Sequence, residues 1–291
     1  MDGLETEISR HAGEAVSGRV VYKMTGSGND FVMIDGRTSP VDQWDAEQIR
    51  TICGRRTGLG ADGLAILEPR SGPGAVRFHF FNNDGNRTEM CGNASLCATR
   101  LAARLDLADP DGMTLETDVG PVRARVLAGP GERAEIVLPD VRNGQTPDLP
   151  LAAGERSVHL VTVGVPHLVV EVDCVGSPEL DILTRGRELR WHPALPNGGA
   201  NVNFTSAEDG KWKMRSYERG VEGETLACGT GAVAVAATLA RAGLVELPWT
   251  VETASGKMLE VSAQSASDAD LLLAAPRLAG EARIVYRAVL E

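Results

Sequence analysis

Two cysteines in this sequence open matched segments. Cys91-Gly92-Asn93 leads into a helix-like run over 94–107, and Cys228-Gly229-Thr230 leads into another over 231–244. Counted from each cysteine, Ala-Arg recurs at offsets 12 and 13, as Ala103-Arg104 and Ala240-Arg241. The cysteines stand 137 residues apart (91 to 228), close to half of the 291-residue chain, so one unit of loop, Cys-Gly-polar and helix occurs twice. A cysteine at the first turn of a helix meets unpaired backbone N–H groups and the positive end of the helix dipole. Both favour the thiolate over the thiol. The same N–H groups can hold a carboxylate. If two such helix ends grip one small carboxylate, one thiolate can remove a proton from one face of a carbon while the other thiol donates to the opposite face. The outcome is inversion at that carbon, with the N–H groups stabilising the charge that develops on the carboxylate.

The competing reading makes both cysteines small buried hydrophobes at helix starts. It suits Cys53, Cys97 and Cys174, which lack the Cys-Gly-polar context. For Cys91 and Cys228 the matched openings outweigh it, because the glycine after each lets a ligand come close to the backbone. A disulfide between the two is a third reading, as an oxidised and inactive form.

Further polar residues fall where a zwitterion needs partners. Asn29 sits in the turn Gly26-Ser27-Gly28-Asn29-Asp30-Phe31, Asn82 opens Asn82-Asn83-Asp84-Gly85, Asn201 opens Asn201-Val202-Asn203, and Glu218-Arg219-Gly220 follows a strand-like run. Arginine can bind a carboxylate bidentately, and glutamate with amide oxygens can hold an ammonium. Taken singly, each asparagine also reads as a turn former and Glu218-Arg219 as a solvated strand end. Dinucleotide motifs fail on context. Residues 58–63 match G-x-G-x-x-G but precede a strand-like run, and residues 229–234 match G-x-G-x-x-A but follow a charged, Gly-rich stretch. The fingerprint needs a strand before and a helix after. The five histidines (11, 79, 159, 167, 192) are scattered, so no metal site is expected. A pyridoxal Schiff base needs a lysine, and of Lys23, Lys211, Lys213 and Lys257 only Lys23 lies near a motif. A mechanism without cofactor is therefore expected.

The elements that must position these residues are short and β-rich. Strands are predicted over 20–24, 31–35, 63–67 and 76–81, a helix over 42–56, and strands over 114–118 and 122–127 around a Gly120-Pro121 turn. A strand over 134–138 ends at Pro139, and the loop to about residue 154 is the linker candidate. Strands over 158–163 and 168–172 flank a turn at 164–167; a helix over 182–189, strands over 201–204 and 212–217, and a hairpin over 250–261 follow. The last run, 283–290, is β-like and is placed in the sheet of the first domain. The division expected is a mobile tail at 1–18, an N-terminal domain of 19–138 plus 277–291 bearing the Cys91 helix, and a C-terminal domain of 139–276 bearing the Cys228 helix.

Composition bounds the class. With 43% hydrophobic and 24% charged residues the chain is globular, and 33 glycines against 12 aromatics favour tight turns over a bulky aromatic core. A net charge of −11 argues against nucleic acid and against an anionic membrane surface as partners. No apolar run reaches the roughly 18 residues of a spanning helix, and the first 18 residues lack a signal peptide's basic and apolar regions. Five cysteines without framework spacing fit a reducing compartment, so a cytoplasmic location is expected.

From Val20 onward the chain resembles the diaminopimelate epimerases, cofactor-independent two-cysteine amino-acid racemases. The blocks that carry the resemblance are KMTGSGNDFVMID (23–35), GLGADGL (58–64), FFNNDGNRTEMCGNASLC (80–97), VGVPHLVV (163–170), NVNF (201–204) and YERGVEGETLACGTGA (217–232). The resemblance implies an α/β (α+β) fold of two pseudo-symmetric domains, each a mixed β-sheet or barrel wrapped round a central helix, with the active site in the interdomain cleft. It implies Cys91 and Cys228 as the catalytic thiols, and Gly92, Asn93, Gly229 and Thr230 as binders of the α-carboxylate. Asn29, Asn82, Asn201, Glu218 and Arg219 fall on substrate contacts, with Arg219 on the distal carboxylate, and His167 and Glu218 on positions that tune the cysteines. The implied reaction interconverts LL- and meso-diaminopimelate in lysine and peptidoglycan precursor synthesis, in a homodimer; a racemase for another amino acid, such as histidine, is the alternative. Val165 stands where the family often has Asn, Gly63 where some members have Gln, and Ala94 where Gly is usual, and Glu222 lengthens the segment from Glu218 to Cys228 by one residue relative to some members. These departures bear on recognition of the substrate's far end, not on the thiol pair.

Overall fold

The computed structural model of the chain describes residues 17–70, 72, 74–142, 144–264 and 271–291. The tail expected over 1–18 lies, but for its last two residues, outside the described residues. Strands β1 (Val20–Gly26) and β2 (Asn29–Asp35) form a hairpin turned at Ser27 and Gly28. Both turn residues have positive φ, 53° and 108°, the geometry that matches the right-handed twist of the paired strands. A 3-10 turn at Val41–Gln43 precedes helix α1 (Ala46–Cys53). This helix is shorter than the 42–56 predicted. Asp45 starts it with a capping box to Gln48, and at Gly54 the backbone turns extended and ends it.

The first half continues through β3 (Gly63–Pro69), β4 (Ala75–Asn82), β5 (Arg87–Thr88), α2 (Gly92–Arg104), β6 (Met113–Thr117), β7 (Gly120–Val126), β8 (Arg133–Val137) and β9 (Val141–Arg142). The Gly120-Pro121 pair predicted as a turn opens β7 instead. The turn falls at Asp118-Val119, where the Thr117 hydroxyl donates to the Gly120 carbonyl (2.7 Å) and accepts from the Val119 N–H (3.2 Å). The second half holds β10 (Glu155–Val163), β11 (Val165–Val172), α3 (Ile182–Arg190), β12 (Asn201–Glu208), β13 (Lys211–Glu218), β14 (Gly223–Thr225), α4 (Gly229–Arg241), β15 (Trp249–Glu252), β16 (Met258–Gln264), β17 (Leu271–Glu281) and β18 (Arg283–Val289). Where a turn was predicted over 164–167, Gly164 alone reverses the chain at φ 70°, and Val163 pairs with Val165. His167 therefore lies within strand β11, not in a loop.

The chain divides into two compact units, Met1–Ala134 with Ala282–Glu291, and Glu135–Glu281. In the first unit the strand order is β18-β1-β2-β3-β4-β6-β7, with β5 extending one edge of β4. In the second the order is β10-β11-β12-β13-β15-β16-β17, with β14 on β13. The two follow one recipe. An antiparallel hairpin (β1–β2, β10–β11) passes through a helix (α1, α3) to a parallel third strand (β3, β12), and an antiparallel fourth strand (β4, β13) leads to the central helix. The central helix returns to a strand parallel to the fourth (β6, β15). Helices α2 and α4 are both 13 residues long and begin at Gly92 and Gly229. Each is enclosed: α2 packs against β1, β2, β3, β4, β6, β7 and β18, and α4 against β10, β11, β12, β16 and β17. Their small residues allow it. Ala94, Ser95, Ala98 and Ala102 are buried in α2, and Gly231, Ala232, Ala234, Ala236 and Ala237 in α4, so burial covers more than one stripe of each helix. Among the described residues no helix is long and apolar enough to cross a membrane.

Candidate active site

Strand register gathers the polar residues of the first unit at one end of its sheet. Gly26 pairs with Asn29, Phe31 with Gly63, and Gly63 with Asn82, so Asn29, Gly63 and Asn82 share that end. Cys91 is the N-cap of α2, with extended φ and ψ of −130° and 123°; its carbonyl accepts from the Ser95 N–H and the Ser95 hydroxyl, both at 2.9 Å. Gly92 and Asn93 form the first turn. Asn93, only 3% exposed, donates from Nδ2 to Asn29 Oδ1 (3.0 Å). Gly26 makes this approach possible, since a Cβ there would stand 2.7 Å from the Asn93 carbonyl oxygen and 3.1 Å from Cys97 Sγ.

Asn29 in turn donates from Nδ2 to Asp62 Oδ2 (3.1 Å), which also accepts from the Asp30 N–H (3.2 Å). Arg55 spans the two carboxylates, reaching Asp62 Oδ1 at 2.5 Å and Asp30 Oδ1 at 2.8 Å, and Lys23 pairs with Asp30 Oδ2 at 2.5 Å. Burial alone would push the Asp30 carboxyl up, but hydrogen bonds from Arg55 and Lys23 outweigh it and hold it below the usual carboxylate range. Asp62 thus orients Asn29, a role that sequence reasoning missed although GLGADGL was among the quoted blocks. Lys23 belongs to this ion-pair network.

The second unit repeats the arrangement with different side chains. Val163 pairs with Val165, His167 with Asn201, and Val202 with Tyr217, so Asn201 and Glu218 lie at one sheet end. Asn82 and Glu218 are the last residues of the corresponding strands β4 and β13. The other contacts do not correspond: Val165 opens β11 where Asn29 opens β2, and Gly63 opens β3 where Asn201 opens β12. Cys228 is the N-cap of α4, with φ −120° and ψ 109°, and is buried. Its Sγ lies 3.7 Å from the Thr230 hydroxyl, and its carbonyl accepts from the Ala232 N–H at 3.0 Å, which places Gly229 in the first turn. The Arg219 N–H donates to Asn201 Oδ1 (2.7 Å), leaving the Arg219 side chain exposed. The Thr225 hydroxyl donates to Glu218 Oε1.

His167 is completely buried. Asn203 holds its ring: the Ser216 hydroxyl donates to Asn203 Oδ1 (2.9 Å), and Asn203 Nδ2 then faces His167 Nδ1 (3.1 Å) as a donor. With Nδ1 accepting, the ring proton sits on Nε2. Burial, reinforced by the Arg219 charge, pushes the ring pKa down to about 3, so the imidazole is neutral throughout the physiological range. Any influence of His167 on a thiol therefore passes through the Nε2–H dipole and not through an imidazolium charge. Asn203 and Ser216 were not among the predicted site residues; Asn203 shares a strand face with Asn201, two residues away, which is the signal that could have found it.

This burial has a consequence for stability. The unfolded ring titrates near 6.5 and the folded ring only near 3, so between these values the unfolded chain holds more protons. Stability from this group is whole above about pH 6.5 and declines below it, by up to about 1.4 kcal/mol per pH unit. The melting temperature of the wild type is expected to fall more steeply between pH 6.5 and 5 than that of His167→Gln. Parallel slopes would mean that the ring protonates in the folded state.

Among the described residues no group of three His, Cys, Asp or Glu side chains is placed to hold a metal ion. The arrangement in each unit is a cysteine capping a buried helix, a first turn of backbone N–H groups, and amide or carboxylate side chains from adjoining strand ends. It suits binding of a carboxylate with a thiol next to it.

Comparison with known proteins gives relatives along most of the chain. The family model described as diaminopimelate epimerase matches residues 21–133 and 159–270. A diaminopimelate epimerase of Gemmatimonas aurantiaca is 43% identical over 274 residues, covering 91% of this chain and 96% of its own. One from Chlorobaculum tepidum is 38% identical over 270 residues, covering 91% and 98%. Among solved structures, a hydroxyproline epimerase from Agrobacterium vitis superposes with a TM-score of 0.68 at 17% identity, covering 93% of this chain and 92% of its own. A methylitaconate-delta-isomerase gives 0.64 at 16% identity, covering 94% and 95%. At these identities the structural likeness shows the shared two-unit fold.

Proposed function

The chain belongs to the diaminopimelate epimerase family, and from this premise we propose that it is the isomerase that interconverts LL- and meso-diaminopimelate in lysine biosynthesis, with Cys91 and Cys228 as its acid and base. The observation that carries the reading is the recurrence of one device in both units: a cysteine at the N-cap of an enclosed helix, followed by a glycine and a polar residue. In the forward direction a thiolate takes the α-proton as the Cα–H bond breaks, and the electron pair spreads into the α-carboxylate. The second thiol gives its proton to the opposite face of Cα and becomes a thiolate. The enzyme ends with its protonation pattern reversed, ready for the other isomer. The backbone N–H groups of Gly92, Asn93, Gly229 and Thr230 are assigned to the α-carboxylate, where charge accumulates, and need no reorganisation to meet it. This requires no cofactor.

Asn29, Asn82, Asn201, Glu218 and Arg219 are assigned to the rest of the substrate. Arg219 has an exposed guanidinium, without a partner among the described residues, and the backbone tie to Asn201 that a distal carboxylate needs. Glu218, held by the Thr225 hydroxyl, and His167, as a neutral N–H dipole, are assigned to tuning the thiols. A cytoplasmic homodimer completes the reading. The location is supported by homology to biosynthetic enzymes and by five cysteines in a pattern that suits a reducing compartment.

Proton NMR of the reduced protein with LL-diaminopimelate in deuterium oxide tests reaction and substrate together. Loss of the α-proton signal is expected together with appearance of the meso isomer. An unchanged spectrum would remove diaminopimelate as the substrate and direct attention to Val165, Gly63 and Ala94.

A further inference from the structure

Behind the Asn201–Arg219 contact lies a buried arginine with no assigned role. Arg190 ends α3, and its side chain is 4% exposed. Its Nη1 donates to the Gly198 carbonyl (2.5 Å), its Nε and Nη2 lie 3.3 and 3.2 Å from Glu222 Oε1, and its guanidinium stacks 4.0 Å above the Trp191 ring. The Arg190 carbonyl accepts from the Ala200 N–H at 3.4 Å. Gly199, at φ 68°, presses so closely on Arg190 that a Cβ there would overlap both the carbonyl oxygen and Nη1. One residue thus grips residues 198–200, the end of the loop that runs into Asn201.

The other side of the grip is the turn after β13. Glu222 adopts the left-handed conformation at φ 52°, which a residue with a Cβ rarely takes. Its N–H donates to the Glu218 carbonyl (2.8 Å), and its Oε1 accepts from the Gly220 N–H (3.2 Å) as well as from Arg190. The turn closed in this way carries Glu218 and Arg219. The Glu222 carboxylate thus joins two segments that meet at the 2.7 Å bond from the Arg219 N–H to Asn201 Oδ1.

We propose that Arg190 and Glu222 are a positioning pair that sets the placement of Arg219 relative to Asn201, and so fits this site to a substrate with a second charged end. The proposal rests on the assignment of Arg219 to the distal carboxylate. Neither residue of the pair meets the substrate. A buried guanidinium is stable here because Glu222 and the Gly198 carbonyl compensate its desolvation, and its planar fork can hold two loops at fixed angles where an ammonium cannot.

The test uses Glu222→Gln, which keeps an acceptor but removes the charge, and Arg190→Lys, which keeps the charge but removes the fork. For both, KM for LL-diaminopimelate is expected to rise about five- to tenfold while kcat stays within about twofold, since the bonds weakened are charge-assisted and join loop segments, not the thiols. A double-variant cycle with Arg219→Gln supplies the reading that a merely structural role would not give. If the pair acts through Arg219, Glu222→Gln adds little to the KM of Arg219→Gln. An unmoved KM, a fall in kcat together with melting temperature at constant KM, or additive KM effects in the cycle would each overturn the proposal. A wild type that leaves LL-diaminopimelate unchanged would overturn the substrate reading itself, and the role of the pair with it.

Discussion

Serine in place of Cys91, or of Cys228, is expected to abolish interconversion of LL- and meso-diaminopimelate. In the proposed reaction each helix start supplies one proton-transfer group, because inversion needs one on each face of the α-carbon. A serine hydroxyl keeps the shape of the thiol but is a far poorer base and acid near neutral pH, so kcat/KM is expected to drop by about a thousandfold or more. The two variants are expected to differ in what remains. Each keeps one thiol, so slow exchange of the α-proton for deuterium without inversion persists on the isomer whose base is intact. Deuterium incorporation and isomer ratio, followed in one NMR time course, separate the two behaviours. Melting temperatures near that of the wild type would show that the fold is kept. Epimerisation within tenfold of wild type in either variant would exclude that cysteine as the acid or base and return it to a packing role.

Gly231→Ala is expected to have the next largest effect, although helix propensity alone predicts the reverse. Alanine inside a helix is favoured over glycine by about 1 kcal/mol. At this position, however, a Cβ would overlap Asn203 Oδ1 and stand 3.1 Å from Cys228 Sγ. Asn203 cannot swing aside at little cost, because its oxygen is bound by Ser216 and its nitrogen faces His167, all of them buried. The strain therefore falls on the start of α4 and on the sulfur of its N-cap residue, Cys228. A displacement of the reacting group by a fraction of an ångström to an ångström costs about a hundredfold in rate. We expect kcat to fall by about that factor, with a modest loss of melting temperature that reflects the propensity gain working against the overlap. Gly112→Ala, where a Cβ meets nothing within 4 Å, serves as the control and is expected to leave turnover unchanged. Turnover within threefold of wild type in Gly231→Ala would show that the helix start is more compliant than its packing implies.

The regular elements were legible to the extent that they rest on local pattern. The strands at 31–35, 63–67 and 76–81 alternate or run apolar between glycine and asparagine turns, and each appears with its ends moved by a residue or two. Strand β17 was not foreseen. Its eleven residues contain Pro276 and Gly280 and several small side chains, which give no period of two. It forms because β16 and β9 offer it partners, Glu260 opposite Ala279 and Arg142 opposite Leu271. Pairing of that kind is decided by strands far away in sequence, and no local propensity reports it.

The candidate site divides in the same way. Cys91 and Cys228 could be read as helix caps from the residues next to them, since capping is settled within one turn, and the two readings supported each other through the echo at 137 residues. The placement of a thiol beside the N–H groups of a helix start was thus already legible in the sequence. Tertiary structure alone decided what the supporting side chains do. Asp62 orients Asn29 across 33 residues, Asn203 sets the tautomer of His167 across 36, and Glu222 meets Arg190 across 32. Each of these contacts is made by strand register or by loops brought to one sheet end. The neutrality of His167 follows from complete burial, which depends on everything packed around it. Short-range physics set a cysteine at the N-cap of each central helix, and long-range packing chose the partners and the charge of the side chains around it.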